Sequence, residues 1–284
     1  MPEKPTTAGQ YRPEWVDEVR SICLYVATRL GDLRDEVVVV GGLVPTLLIS
    51  QDPPGAGVAR HVGTRDLDLG LSVALLEDAR YQTLSARLRE AGFVPSVNEA
   101  GNQTLQTWML AAHPAITVDF LIAPAGADAR PGRPKHLEPD FAPLNTPALD
   151  LAFRDRVPVP LRGVTPRGER VQRDVWCCGP GAFTVLKALA CSDRGHEKDA
   201  YDLAYVLRYF GRGPDDVARH LRPLLGATEA ARAVAVLRED FLHEDGLGPV
   251  RAARFMALPD DDAIAAARAD VVTVVRRLLM ACGV

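Results

Sequence analysis

The feature that most constrains the fold is a run of four valines at 37–40, followed directly by Gly41-Gly42. Four consecutive β-branched residues favour a buried strand, and the glycine pair marks a tight turn at its end. The apolar stretch 43–49 then predicts a helix, whose first turn tolerates Pro45. A buried strand that turns on glycine into a helix indicates a sheet covered by helices.

The apolar spacing along the rest of the chain predicts the other elements. Helices are expected at 13–33 and 76–91, strands at 67–73, 104–110 and 115–122, a hairpin at 157–161 and 170–177, and helices at 181–192, 197–209 and 214–224. Segments rich in Pro and Gly at 51–63 and 123–147 are predicted loops. The fold class is therefore α+β: an arm at 1–12, an α/β domain with a small mixed sheet at 13–178 and a helical bundle at 179–284.

Charge and hydropathy narrow the classes of protein. The net charge of the 284 residues is −4, whereas strong nucleic-acid binders usually carry a basic surplus. The N-terminal segment lacks the apolar core of a signal peptide, and no apolar run approaches the roughly 20 residues that span a bilayer. We therefore expect a cytoplasmic protein without a membrane partner.

Two aspartates lie two residues apart in Thr64-Arg65-Asp66-Leu67-Asp68-Leu69. In a strand, residues i and i+2 point to the same face, so both carboxylates would lie side by side and favour a divalent cation such as Mg²⁺. A solvated pair at the start of a strand is the alternative interpretation of this motif alone.

Two further features strengthen the metal hypothesis. Gly41-Gly42 would let backbone N–H groups approach a phosphate, although such turns are common. Asp119 stands in the apolar stretch Thr117-Val118-Asp119-Phe120-Leu121, where a carboxylate is costly unless it is paired or bound to metal. A third carboxylate on a neighbouring strand would suit metal-assisted phosphoryl transfer.

In this order, the glycine turn, the Asp66/Asp68 pair and Asp119 resemble the polymerase-β-like nucleotidyltransferase superfamily over residues 36–124. The resemblance implies that Asp66, Asp68 and Asp119 are catalytic and hold Mg²⁺ or Mn²⁺, and that Gly41 and Gly42 bind the NTP. Thr64 and Arg65, which flank the pair, are expected to touch phosphate. The superfamily often has Gly-Ser at the turn, where this chain has a second glycine.

A second segment, 179–207, is similar to the AbiEii/AbiGii toxins of abortive-infection toxin–antitoxin pairs, which extends the resemblance over 36–210. It implies that Lys187 is catalytic and holds nucleotide phosphates, and that Asp202 is catalytic as a general base or as an orienting group. Arg194, Lys198 and Asp199 are expected near them. The histidines, His61 and His196 among them, have no metal-ligand spacing and are interpreted as structural.

The acceptor of the nucleotide is left open by the motifs. Arginines crowd the segment 154–173, which together with Arg130, Arg133 and Lys135 forms a basic segment that could contact an RNA backbone. A solvated hairpin and loop is the alternative interpretation. The resemblance implies an RNA acceptor, such as a tRNA 3′ end, and a cognate antitoxin. A small cationic acceptor such as an aminoglycoside, a protein acceptor, or a degenerate module that only binds nucleotide are the alternatives.

Overall fold

The computed structural model describes residues 5–51, 59–125 and 130–284. Parts of the predicted arm and of the two predicted loops, namely 1–4, 52–58 and 126–129, lie outside the described residues. The chain forms two compact units. The first contains Pro13–Val44, 63–125 and 130–178, and the second contains 5–12, 45–51, 59–62 and Gly179–Val284.

The first unit is built on one mixed sheet of eight strands. The strands are β1 Val37–Val40, β2 Asp66–Leu71, β3 Phe93–Val97, β4 Gln103–Leu110, β5 His113–Ile122, β6 Leu144–Asn145, β7 Arg156–Val164 and β8 Arg170–Cys178. Their order is β3-β4-β5-β2-β1-β8-β7, and β6 pairs with β5 outside this path. The β2–β5, β5–β6 and β1–β8 pairs are parallel and the others antiparallel, which confirms the α+β class and the mixed sheet.

One face of this sheet is covered by the long first helix, α1 (Pro13–Leu30). Its apolar residues recur at helical spacing, and Val19, Ile22 and Val26 are buried. Leu67 and Leu69 of β2 are also almost fully buried. We call this the apolar face.

The opposite face carries Asp66 and Asp68, which alternate with those leucines along β2, and is called the carboxylate face. Farther along β2, a Cβ atom at Gly70 would lie 2.9 Å from Val38 Cγ1 and 3.1 Å from Leu149 Cδ1. Leu149 begins the short helix α4 (Leu149–Arg154), so α4 covers this end of the carboxylate face. The two aspartates, at the other end of β2, are half-buried.

The sheet extends farther than the sequence predicts, because β3 and β6 were not expected and the hairpin β7–β8 joins the same sheet. Strand β3 contains Pro95, which argues against a central strand, and the β3–β4 register shifts directly after it. Both β3 and β7 are edge strands, and β7 contains Pro158 and Pro160. Proline is tolerated at such edges because its missing N–H faces solvent.

The remaining helices have the following bounds. In the first half of the chain they are α2 Val44–Leu48 and α3 Arg80–Glu90. Short 3₁₀ helices occur along the chain at Ala8–Gln10, Gly31–Glu36, Gly41–Leu43, Val73–Ala79 and Arg222–Leu224. The second unit is helical, with α5 Pro180–Arg194, α6 Glu197–Tyr209, α7 Pro214–Leu221, α8 Thr228–Phe241, α9 Leu247–Met256 and α10 Asp261–Cys282. Among the described residues, none of the helices combines the length and apolarity required to cross a membrane.

Candidate active site

The three sequence-predicted aspartates lie on the carboxylate face of two neighbouring strands. Strands β2 and β5 run parallel, and the Cα partner of Asp68 is Asp119, while Asp66 is paired with Thr117. Partners in a parallel pair lie about 5 Å apart and point to the same face. The sheet therefore places Asp119 beside Asp68, as the third-carboxylate hypothesis requires.

Asp66 is held in place by two threonines. The Thr117 hydroxyl donates a hydrogen bond of 2.8 Å to Asp66 Oδ1. The backbone N–H of Asp66 donates to Thr64 Oγ1 at 3.2 Å, and Thr64 itself is buried. Thr64 thus shapes the start of β2. Thr117 was not singled out from the sequence, although its position two residues before Asp119 places it on the same face.

The glycine turn is fitted against Asp68. Gly41 has φ +69°, in the left-handed region that favours glycine, and a Cβ atom there would lie 1.9 Å from Asp68 Oδ2. Val40, directly before it, is the Cα partner of Asp68 in the antiparallel β1–β2 pair. The glycine is therefore required for the close approach of this carboxylate to the backbone.

The residues on the carboxylate face can be compared with what a magnesium ion needs. Across the described ranges, no group of three or more His, Cys, Asp or Glu side chains is placed so that it could hold a metal ion. Magnesium commonly binds proteins through one or two carboxylates, with waters and substrate phosphates as its other ligands. Asp68 and Asp119, side by side on adjacent strands, fit that mode of binding. A metal held by all three aspartates stays a prediction.

Arg65, the other residue flanking the pair, lies against an aromatic ring. Its guanidinium carbon is 5.8 Å from the centroid of the Trp15 ring, a distance typical of a cation–π contact. Trp15 belongs to α1. The contact orients Arg65, and its predicted role in binding phosphate stays a prediction.

Lys187 and Asp202 lie in the helical unit, where they form part of a buried ionic network. Lys187 Nζ on α5 lies 2.7 Å from Asp199 Oδ1 and 2.7 Å from Asp202 Oδ2, both on α6. Lys198 Nζ also contacts Asp202 at 2.7 Å, and Arg194 donates two hydrogen bonds to Asp199 at 2.8 and 2.9 Å. Lys187, Asp199 and Asp202 are all buried. The charged residues of the segment 179–207 that resembles the AbiEii/AbiGii toxins therefore contact one another directly.

Two opposing effects determine the pKa values in this network: burial, which disfavours the charged form of each group, and the opposite charges of its neighbours, which favour it. Burial alone would raise the pKa of Asp202, but Lys187 and Lys198 outweigh it and lower that pKa well below its usual range. Burial alone would likewise lower the pKa of Lys187, which its two carboxylate partners raise. A general base works best with a pKa near the working pH. The contacts of Asp202 with Lys187 and Lys198 and its low pKa suit an orienting group, and its catalytic role stays a prediction.

His61 joins the same network and was interpreted as a structural histidine from the sequence. Its Nε2 lies 3.0 Å from Asp202 Oδ1, and its ring packs between Tyr201 and Tyr205 at centroid distances of 5.2 and 4.7 Å. Burial lowers the pKa of His61 to about 4, although the bond to Asp202 opposes this shift. His61 is thus a neutral donor to Asp202. A lone histidine beside a Pro/Gly-rich segment carries no sequence signal for such a contact.

Comparison with known proteins places these residues in a family. No curated protein matches the chain. The family model described as nucleotidyl transferase AbiEii toxin, type IV TA system, matches residues 60–280, or 221 of 284 residues. The match confirms the resemblance found in the sequence. The matched range begins after Gly41-Gly42 and contains the five residues predicted to be catalytic: Asp66, Asp68, Asp119, Lys187 and Asp202. The chain therefore belongs to the AbiEii family of nucleotidyltransferase toxins of type IV toxin–antitoxin systems.

Proposed function

We propose that this protein is a Mg²⁺-dependent (or Mn²⁺-dependent) nucleotidyltransferase that transfers NMP from an NTP to an RNA acceptor, a tRNA 3′ end, and acts as the toxin of a toxin–antitoxin pair. The observation that carries the proposal is the register of Asp68 with Asp119 on parallel strands, beside the glycine turn. Family membership supports the reaction class and implies an NTP substrate and an antitoxin partner.

The three aspartates on the carboxylate face each have a role in the proposed reaction. Asp68 and Asp119 would hold the metal, and Asp66, oriented by the Thr117 hydroxyl, would add a third carboxylate. The metal, when bound, would neutralise charge that develops on the transferred phosphoryl group. Through that metal, the carboxylates would hold the triphosphate on this face of the sheet.

The backbone of Gly41-Gly42 is proposed to receive the triphosphate. Gly41 lies against the Asp68 carboxylate, so phosphate oxygens that approach the turn also come close to this proposed metal ligand. Glycine leaves backbone N–H groups accessible to phosphate, as in other nucleotide-binding turns. Because a second glycine follows Gly41, only backbone groups of the turn are available for this contact.

The experiment that tests this function uses purified protein, Mg²⁺, total RNA and each of the four NTPs labelled at the α-phosphate. Label should enter RNA with at least one NTP, and Asp68→Asn should abolish it. Parallel reactions contain an aminoglycoside or a protein extract in place of RNA. Absence of transfer to any acceptor contradicts the reaction, and label in the drug or in protein, but not in RNA, contradicts the proposed acceptor.

A growth assay tests the toxin assignment. Induction of the wild-type chain should arrest bacterial growth, and Asp68→Asn, expressed at the same level, should not. Normal growth with the active enzyme would contradict the toxin role while leaving the transfer reaction intact.

A further inference from the structure

The carboxylate face of β2 is in register with the same face of the hairpin β7–β8, and the two positions between them, Val40 and Cys178, are buried. Val40 of β1 is in register with Asp68, and Val39 with Cys177 of β8. Cys178 therefore aligns with Val40, and it is in turn the Cα partner of Arg156 on β7. Residues at matching register positions point to the same face of a sheet. Arg156 thus lies on the carboxylate face, in one row with Asp68.

The register shows to which face of the sheet each arginine of the segment 154–173 points. Because side chains alternate along a strand, Arg162, six residues beyond Arg156, points to the carboxylate face. Arg170, the partner of Val164, does the same. Arg173 pairs with the buried Leu161 and belongs to the apolar face. The segment that looks uniformly basic in sequence is therefore divided between two sides of the sheet.

The arginines on the two sides also differ in their contacts. The side chains of Arg162 and Arg170 are exposed, and neither side chain forms an ion pair or a hydrogen bond with another described residue. Arg167, in the turn between the strands, donates to the carbonyl of Ala91 at 3.1 Å and lies 5.7 Å from the Tyr25 ring centroid. Arg162 and Arg170 are thus available to an incoming anion, whereas Arg167 supports the fold.

A stacked pair stands between these arginines and the aspartates. The Arg156 guanidinium lies 4.3 Å from the centroid of the Trp176 ring, and Trp176 Nε1 donates to Asp35 Oδ1 at 2.7 Å. Trp176 pairs with Pro158, two residues from Arg156, so it shares the carboxylate face. A fixed indole and guanidinium offer a flat, cationic surface of the kind on which unpaired bases stack.

Strand geometry gives the length of this surface. Three strand spacings separate Asp68 from Arg156, which is about 14 Å. Arg162 lies about 20 Å farther along the hairpin and Arg170 about 26 Å. A small molecule seated at the carboxylates cannot reach these arginines. A polymer with repeated negative charge, such as RNA, is long enough to contact these arginines and the aspartates at once.

We infer that the carboxylate face of the hairpin β7–β8 binds the RNA acceptor whose 3′ end is extended at the aspartates. Arg156, Arg162 and Arg170 contact its phosphate backbone, and the Arg156–Trp176 pair offers a surface on which an unpaired base can stack. This inference rests on the proposed function and specifies where its acceptor lies. Phosphate contacts position a nucleic acid without selecting its sequence. The hairpin side chains therefore set the affinity for the RNA acceptor and do not affect which NTP the enzyme uses.

Two double variants with the same change of charge test the inference. R162A/R170A removes the arginines of the carboxylate face, and R167A/R173A removes two from the same hairpin but from other surfaces. The KM for bulk tRNA, the KM for NTP and the kcat are measured for each over a range of salt, alongside R162K/R170K, which keeps the charge. Circular dichroism melting confirms that each variant is folded.

R162A/R170A should raise the KM for tRNA on the order of tenfold and reduce the log–log salt dependence by about 1 to 2, with kcat and the KM for NTP unchanged. R162K/R170K should stay within about twofold of the wild type, because the phosphate contact depends on charge. A short RNA of the same 3′ sequence should show no difference between wild type and R162A/R170A, because it cannot reach Arg162.

Wild-type KM in R162A/R170A, or an equal rise in R167A/R173A with both variants folded, would overturn the inference while the transfer reaction itself stands. Absence of transfer by the wild type would instead refute the proposed function. The KM for tRNA and the wild-type activity thus separate the two failures.

Discussion

The backbone of Gly41 lies so close to the Asp68 carboxylate that a Cβ atom would stand 1.9 Å from Oδ2. Gly41→Ala should therefore displace the carboxylate and also place alanine at a positive φ, at a cost of about 1–2 kcal/mol. We expect the variant to remain folded, with nucleotide transfer reduced at least tenfold, as measured with labelled NTP and acceptor RNA.

A matched control for Gly41→Ala is Gly226→Ala, because no atom lies within 4 Å of a Cβ at Gly226. This second variant should retain wild-type transfer. Full activity in Gly41→Ala would show that the position of Asp68 against the turn is irrelevant to the reaction.

Substitution of Asp68 or Asp119 should lower kcat, whereas substitution of a surface carboxylate on the same sheet should not. Asp68→Asn and Asp119→Asn should each lower kcat by about a hundredfold or more, because a proposed metal ligand loses its charge. Asp174→Asn, an exposed residue of β8, should leave kcat unchanged. Removal of the metal with EDTA should stop transfer and added Mg²⁺ or Mn²⁺ should restore it. Transfer that persists in EDTA would contradict metal dependence.

Lys187 should be important for stability whatever its part in the reaction. Lys187→Met leaves two buried carboxylates without their shared cation, and breaking a buried pair in this way costs about 3–5 kcal/mol. The free energy of unfolding, measured in urea, should fall by that order. Arg219→Ala, which removes an exposed partner of Asp216, should have little effect. An unchanged urea midpoint for Lys187→Met would contradict the network.

The buried His61 predicts a pH dependence of stability. Its pKa is about 4 in the folded protein against 6.5 for an ordinary histidine, so the unfolded chain binds the extra proton first as the pH falls. Stability should therefore fall as the pH is lowered from about 6.5 to about 4, by roughly 3 kcal/mol in all. Melting temperatures between pH 8 and pH 4 measure this slope.

The control for this pH dependence is a histidine variant that keeps the aromatic packing. His61→Phe can still pack between Tyr201 and Tyr205 but cannot titrate, so its melting temperature should change less over the same range. His243→Phe, at an exposed position, should show the wild-type slope. Identical slopes in wild type and His61→Phe would refute the assignment to His61.

Local patterns were sufficient to predict the elements around the aspartates. The valine run became β1, and the alternation of Asp and Leu placed β2 with one charged and one apolar face. Strand β3 could not be predicted in this way, because Pro95 disfavours a central strand and only the sheet order shows that β3 is an edge. The sequence likewise does not show that the hairpin joins the same sheet as β1.

The site was predictable where residues lie close in sequence and not where distant segments meet. Asp66 and Asp68 share a face by strand periodicity alone, but the register of Asp68 with Asp119 depends on which strands are neighbours. The contact of His61 with Asp202 joins residues 141 positions apart, so no local pattern encodes it. The division of the arginines between two faces likewise needed the register of β7 and β8.

Proline at both margins of the sheet bears on how this protein can associate with others. Pro95 in β3 and Pro158 and Pro160 in β7 remove outward-facing N–H donors at the positions where a foreign strand would pair. Each margin of the sheet therefore lacks donors that lateral growth or capture of an extended peptide would use. We therefore expect an antitoxin or a second copy of the chain to bind through side chains on helices or on a sheet face.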